Sequence, residues 1–328
     1  MANINSISSG AWSAGSTWSG GAVPSSGDNV RIEAGHTVTV EAPLSLGGTC
    51  VLNGTHAIKA NVVLKIGIEG GSGSDCAFTH GPGSVLTGEG VVTHIRGRVQ
   101  STATAGKRAV VSGSLSFSQG GVADNARGKV NYDLAHVDFR HTGATRFCST
   151  MSRGSYPESH VFHHCTFSGQ EELAFGIAGW SADGDIVFSD THFDNCGIIS
   201  FNMNSPTTSG KRIIKRCVLY ADSQYTLIRY NAAGPWQVTD SVFINYVPDA
   251  ASTNRREQHF SGCFFSQNTK AQNQSLFNYD AASTADDCYF YTNPGEYNPH
   301  VISIATLRGG VCECESPVEP NIHAHGAQ

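Results

Sequence analysis

Large apolar residues close a short segment that recurs between His160 and Phe290 at intervals of 22 to 26 residues. The copies read VFHHCTF (161–167), VFSDTHF (187–193), IIKRCVL (213–219), QVTDSVF (237–243), HFSGCFF (259–265) and TADDCYF (284–290). Their last residues are Phe167, Phe193, Leu219, Phe243, Phe265 and Phe290. Two places earlier stands a small residue: Cys165, Thr191, Cys217, Ser241, Cys263 and Cys288. Five places earlier stand Phe162, Phe188, Ile214, Val238, Phe260 and Ala285. The stretch 133–139 extends the register backwards, with Leu134, Val137 and Phe139 in the same slots. Residues two apart share one face of a strand, so the segment ends read as strands with an inward side.

A second apolar segment follows most copies, at 173–177, 198–203, 226–231, 275–279 and 301–306. Gly, Asn, Asp, Ser and Pro fill the intervals, and these are the residues that make turns. A fixed period of this length with short strands in each unit is the signature of a solenoid. Coils stacked at about 4.8 Å make it an all-β parallel β-helix. No stretch of 3.6 periodicity competes with that reading. The chain divides into an N-terminal cap with the first strands (1–48), the β-helix (49–306) and an extended C-terminal arm (307–328). Through 50–110 the register is less regular, and wider or irregular coils are expected there.

Near the N-terminus, Val30 and Ile32, then Val38 and Val40, alternate around a turn at Gly35. Trp12 and Trp18 are expected to cover the open end of the solenoid, because terminal coils must be capped. The pieces Trp18, Gly20–Gly21, Val23–Pro24, Gly27–Asp28 and 35–40 (GHTVTV) resemble the opening of many right-handed parallel β-helix proteins. These belong to the pectate-lyase-like superfamily, and the chain is also similar to β-helical bacteriophage tail and virion proteins. The resemblance covers about the first fifth of the chain and implies a right-handed helix.

Composition narrows the possibilities. At 328 residues and with an unbroken repeat, one elongated domain is expected. A net charge of −6 gives no reason to expect nucleic acid binding. No apolar run is long enough to insert in a membrane. The first residues, MANINSISSGAW, have neither a basic nor an apolar leader segment, so no secretory signal is expected. Of ten cysteines, four occupy one inward slot that Thr191 and Ser241 fill equally well. That pattern suits small buried fillers kept reduced. Cys165 and Cys217 are two rungs apart and out of disulfide range, whereas Cys263 and Cys288 are one rung apart and within it.

Candidate chemistry lies in the slot three before each segment end: His164, Asp190, Arg216, Asp240, Gly262 and Asp287. The bland reading is a surface ladder of alternating charge. The catalytic reading takes Asp190 and Asp240 as the paired carboxylates of an inverting glycosidase, with Arg216 between them. A lyase would instead draw on Lys215, Arg216 and His192. The motif series of polygalacturonases and of alginate epimerases are both missing. His160, His163 and His164 cluster in sequence, but His163 and His164 alternate along a straight strand and cannot share a site. Trp180, Tyr230, Trp236 and Tyr289 are candidate platforms for stacking sugars. The outward slot Val218, Val242, Phe264 and Tyr289 is unusually apolar, and a loop, another subunit or a sugar is expected to cover it. Residues 70–74 are glycine-rich but lack the Lys-Ser/Thr and helix of a phosphate-binding loop. Cys312, Cys314, His323 and His325 match no zinc-finger spacing. His36, beside Gly35, reads as a turn residue. No cofactor and no metal are expected.

A β-helix hosts many functions, so fold alone assigns none. The missing leader segment, cysteines placed as if kept reduced and the resemblance to β-helical phage proteins together lead to the expectation of a structural virion protein of a bacteriophage, in a tail fibre, tail spike or surface decoration, with host-glycan contact. Such a protein is made in the host cytoplasm and resides in the virion as a homo-oligomer, by resemblance a trimer, beside other virion proteins. The alternatives are a polysaccharide lyase or glycoside hydrolase, and a non-catalytic glycan-binding adhesin in the extracellular space.

Overall fold

In a computed structural model the chain is an all-β solenoid. The structure describes residues 1–67, 76–95, 97–119, 130–142, 159–169, 172–177, 185–195, 198–203, 210–220, 227–231, 236–245, 258–267, 277–278, 284–292, 302–303, 306–313 and 323–325. A 14-stranded parallel sheet runs from Asn3–Asn5 to His323–His325, and a 13-stranded one from Gly10–Ala11 to Val311–Glu313. Each coil gives one strand to each, so neighbours in space are one coil apart in sequence. The only helical pieces among the described residues are two short 3-10 turns, Gly15–Thr17 and Ser19–Gly21. No helix there is long and apolar enough to cross a membrane.

The inferred slots are the observed rungs. Phe139, Phe167, Phe193, Leu219, Phe243, Phe265 and Phe290 pair in that order in the second sheet. Leu134, Phe162, Phe188, Ile214, Val238, Phe260 and Ala285 do so in the first. All are buried. In-register pairing lets identical rings stack: Phe139 on Phe167 at 4.6 Å and Phe162 on Phe188 at 5.0 Å, each within 4° of parallel. Burying each such side chain contributes about 1.5–3 kcal/mol, and the ring stacking adds to it.

The second apolar segments form a third face. Glu172–Ile177, Ile198–Met203 and Leu227–Asn231 pair in parallel, as do Phe277–Asn278 and Ile302–Ser303. The 50–110 region, where wider or irregular coils were expected, keeps its strands in the same sheets with coils of unequal length: Leu44 pairs with Leu64, Val63 with Val91, and Thr55 with Val85. Leu44–Leu46, Val63–Ile66, Val91–His94 and Ser116–Gln119 make a 4-stranded third sheet in continuous register. Its period is obscured in sequence because successive coils differ in length, as the pairs Leu44–Leu64, Val63–Val91 and Val91–Ser116 show.

At the N-terminal end Trp18 is fully buried, its Nε1–H donates to the Trp12 carbonyl at 2.7 Å, and Trp12 stacks on His56. The paired tryptophans close the core from inside. Strands Asn3–Asn5 and Gly10–Ala11 are already the first rungs of the two large sheets, within the segment expected as a cap. Within the segment expected as an extended arm, Val311–Glu313 and His323–His325 are paired in the same sheets.

Candidate functional site

The outward slot with the candidate chemistry is a corner between two sheets. His136, His164, Asp190, Arg216, Asp240 and Asp287 all have φ between 50° and 56°, and Gly262 and Gly309 take the same place at 60° and 62°. Side chains rarely adopt this left-handed region; Gly enters freely, and Asp, Asn and His more often than most. Each corner N–H donates to a carbonyl of the next coil: His164 to Ser189, Asp190 to Lys215, Arg216 to Thr239 and Asp240 to Ser261, all at 3.0 Å. The strand before the corner belongs to the first sheet and the strand after it to the second. The repeat is therefore two strands around a bend. This explains how Phe162 and Cys165 can both face inward although three apart.

The small-residue slot follows the corner directly, and six of its members, unlike Val137 and Gly310, share a hydrogen bond. Cys165 donates to the His163 carbonyl, Thr191 to Ser189, Cys217 to Lys215, Ser241 to Thr239, Cys263 to Ser261 and Cys288 to Asp286. The distances are 2.8 to 3.0 Å for the hydroxyls and 3.4 to 3.5 Å for the thiols. Each donor reaches back across the left-handed residue to the carbonyl of the residue before it. Cys, Ser and Thr are the smallest side chains that carry such a hydrogen. Burial pushes the Cys165 and Cys217 thiols up to about 12, so both are inert as nucleophiles at neutral pH.

Along the corner ladder, Arg216 donates from Nε and Nη2 to the two carboxylate oxygens of Asp190, both at 2.6 Å. These hydrogen bonds hold the Asp190 carboxyl below its usual range and raise the guanidinium. A glycosidase needs one carboxyl held protonated as the acid, and Asp190 is driven the other way. Asp240 lies one coil beyond Arg216 and acts on it through space, with no hydrogen bond between them among the described residues. The next corner is Gly262, whose missing side chain leaves room for the Asp240 carboxylate. The catalytic candidates are thus brought onto one edge, in an arrangement that satisfies Asp190 and Arg216 with each other.

The three clustered histidines go three ways. His160 is buried against Tyr132 at 5.3 Å, His163 hydrogen-bonds Ser189, and His164 stacks on His136 at 4.9 Å. Expected to alternate along one strand, His163 instead ends the strand and His164 is the corner itself. His36 bonds Ser6 Oγ at 2.8 Å, in keeping with a turn role. Burial also depresses His56, His80 and His160 to about 4 and His94 to about 3. His94 shares a 2.5 Å hydrogen bond with the Tyr132 hydroxyl. None of these was legible from sequence, because a lone His in an alternating strand carries no signal of its side.

Of the sugar-stacking candidates, Trp236 is corrected: it is fully buried in an inward position of its strand and offers no face to solvent. Tyr289 is half-buried and stacks on Phe264 at 5.2 Å and 10°. Tyr230 lies in the strand Leu227–Asn231, beyond which nothing of its side chain is described. Trp180, Cys314 and the 70–74 loop lie outside the described residues.

The apolar outward slot is wider than expected. Val218, Val242, Phe264, Tyr289 and Val311 are in register on the second sheet, and Val218 and Val311 are 36% and 42% exposed. A parallel column two residues on carries Tyr220, Ile244, Ser266 and Tyr291. The first column is apolar for about 19 Å along the axis, from the rung spacing, while the second is interrupted by the buried Ser266 and reaches Glu313 at its fifth rung. Toward the N-terminus this face gives way to His192, Asp194, Thr166 and Ser168. Further back, Arg108 spans three coils, donating to Asp138 and to the His164 carbonyl at 2.7 Å each.

No cluster of metal-binding side chains occurs among the described residues. No protein-family model, no curated protein and no solved structure matches the chain.

Proposed function

We propose that the chain is a structural protein of a bacteriophage virion, a rigid β-helical element of a tail fibre, tail spike or surface decoration. The observation that carries this reading is the apolar face on the second sheet. A contiguous apolar patch on a rigid scaffold marks an interaction surface. Phe264 and Tyr289 already occupy each other's ring faces, so the surface presents ring edges, which favours a protein partner over a stacked sugar. The rungs repeat at a constant spacing, so a second copy aligned along the same axis meets the face with a matching ladder. A homo-oligomer, by resemblance a trimer, is the occupant we assign. Host-glycan contact falls to the polar corner ladder and to Tyr230.

The enzyme reading receives less support, because the Asp190 carboxylate is committed to Arg216. Two assays separate the readings. Particles purified on a density gradient from a producing culture should contain the chain in stoichiometric amount by mass spectrometry. The purified chain should release no reducing ends and no unsaturated uronates from bacterial polysaccharides. Absence from particles together with glycan cleavage would replace this proposal with the enzyme.

A further inference from the structure

Of the six small-residue positions after the corners, Cys263 and Cys288 are the one adjacent pair in which both are cysteine. Phe264 pairs with Tyr289, and the Tyr289 N–H donates to the Cys263 carbonyl at 2.8 Å, which fixes the two cysteines on neighbouring rungs. Rungs about 4.8 Å apart fall inside the Cα separation that disulfides span. Both residues are free thiols and buried. Cys165 and Cys217 have Thr191 between them and cannot meet.

We propose that Cys263 and Cys288 are a redox-switchable crosslink that staples two coils beneath the apolar face. The oxidant class is a low-molecular-weight disulfide such as oxidised glutathione. The Cys263 thiolate attacks one sulfur of that disulfide, forming a mixed disulfide and releasing one thiolate. The Cys288 sulfur then attacks the Cys263 sulfur, closing the crosslink and releasing the second. Two protein thiols are oxidised, one disulfide is reduced to two thiols, and the two protons pass to the leaving thiolates. The crosslink closes a loop around residues 264–287 and tethers Phe264 to Tyr289, the stacked pair next in sequence. The inference is independent of the virion reading.

The test uses the full chain incubated with oxidised glutathione, both in buffer and in urea below the unfolding transition so that the oxidant reaches the pair. Remaining thiols are blocked with N-ethylmaleimide and the digest is read by mass spectrometry. The expected result is a linked peptide pair containing Cys263 and Cys288, two hydrogens lighter than its parts and separated by dithiothreitol. The oxidised chain should melt higher than the reduced one. Cys288→Ser should instead leave glutathione attached at Cys263, and Cys217→Ser should leave the linked pair intact. Separate maleimide adducts at both positions under both conditions, or crosslinks to other cysteines in their place, would overturn the proposal.

Discussion

Arg216 grips Asp190 with two hydrogen bonds of 2.6 Å while its own backbone is held at φ 50°. The ladder position demands a left-handed conformation first and accepts charge second. Arg216→Asn keeps a residue type that enters this region and loses only an exposed ion pair, which contributes little. Its melting temperature should stay close to wild type. Asp240→Val places a β-branched residue in the same conformation and should cost about 1–2 kcal/mol in urea unfolding. Equal stability of the two variants would show that the corner conformation does not select the residue.

The slot behind the corner makes a sharper prediction. Cys217→Ser keeps a donor to the Lys215 carbonyl, as Thr191 and Ser241 do for theirs, and should change stability by less than about 1 kcal/mol. Cys217→Ala loses that bond and should cost about 1 kcal/mol. Cys217→Arg buries an unpaired charge at a cost of several kcal/mol, a large part of the 5–15 kcal/mol that holds a typical domain. It should unfold the central coils, seen as lost cooperative melting. A wild-type melting temperature for the Arg variant would mean that this slot does not face inward.

The strands and their inward slots were legible because the buried positions alternate and recur with the coil. The corners were not, although their trace is in the sequence. Phe162 and Cys165 are three apart, an odd spacing no straight strand can place on one face, and the residue between them at the bend is His, Asp, Arg or Gly. Trp236 misled because an aromatic residue reads the same whether it fills a core or meets a sugar. The width of the apolar face was missed because Tyr220, Ile244 and Tyr291 fall on the second strand's far end, which the segment template did not reach.

The buried histidines set an acid limit. His56, His80, His94 and His160 have folded pKa values of about 3 to 4 against an ordinary value of 6.5. Below pH 6.5 the unfolded chain takes up protons that the folded chain refuses, so stability is full above 6.5 and falls as the pH drops towards 4. One pKa unit corresponds to about 1.4 kcal/mol for each group. Melting temperature should therefore decline from about pH 6 and the fold should be lost before pH 4. Replacing His56, which has no hydrogen-bond partner among the described residues, with Phe should flatten that decline. A melting temperature constant from pH 7 to 4.5 would contradict the buried placement.

The native mass of the purified chain, by light scattering with electron microscopy, tests the proposed role of the apolar face most directly. Wild type should be a stable oligomer, a trimer by preference, with its coils aligned. Phe264→Asp, which puts a charge at the centre of the face, should convert it to a folded monomer of unchanged secondary structure. A wild-type monomer at every concentration, with the same mass as the variant, would contradict it and leave the face without its assigned partner.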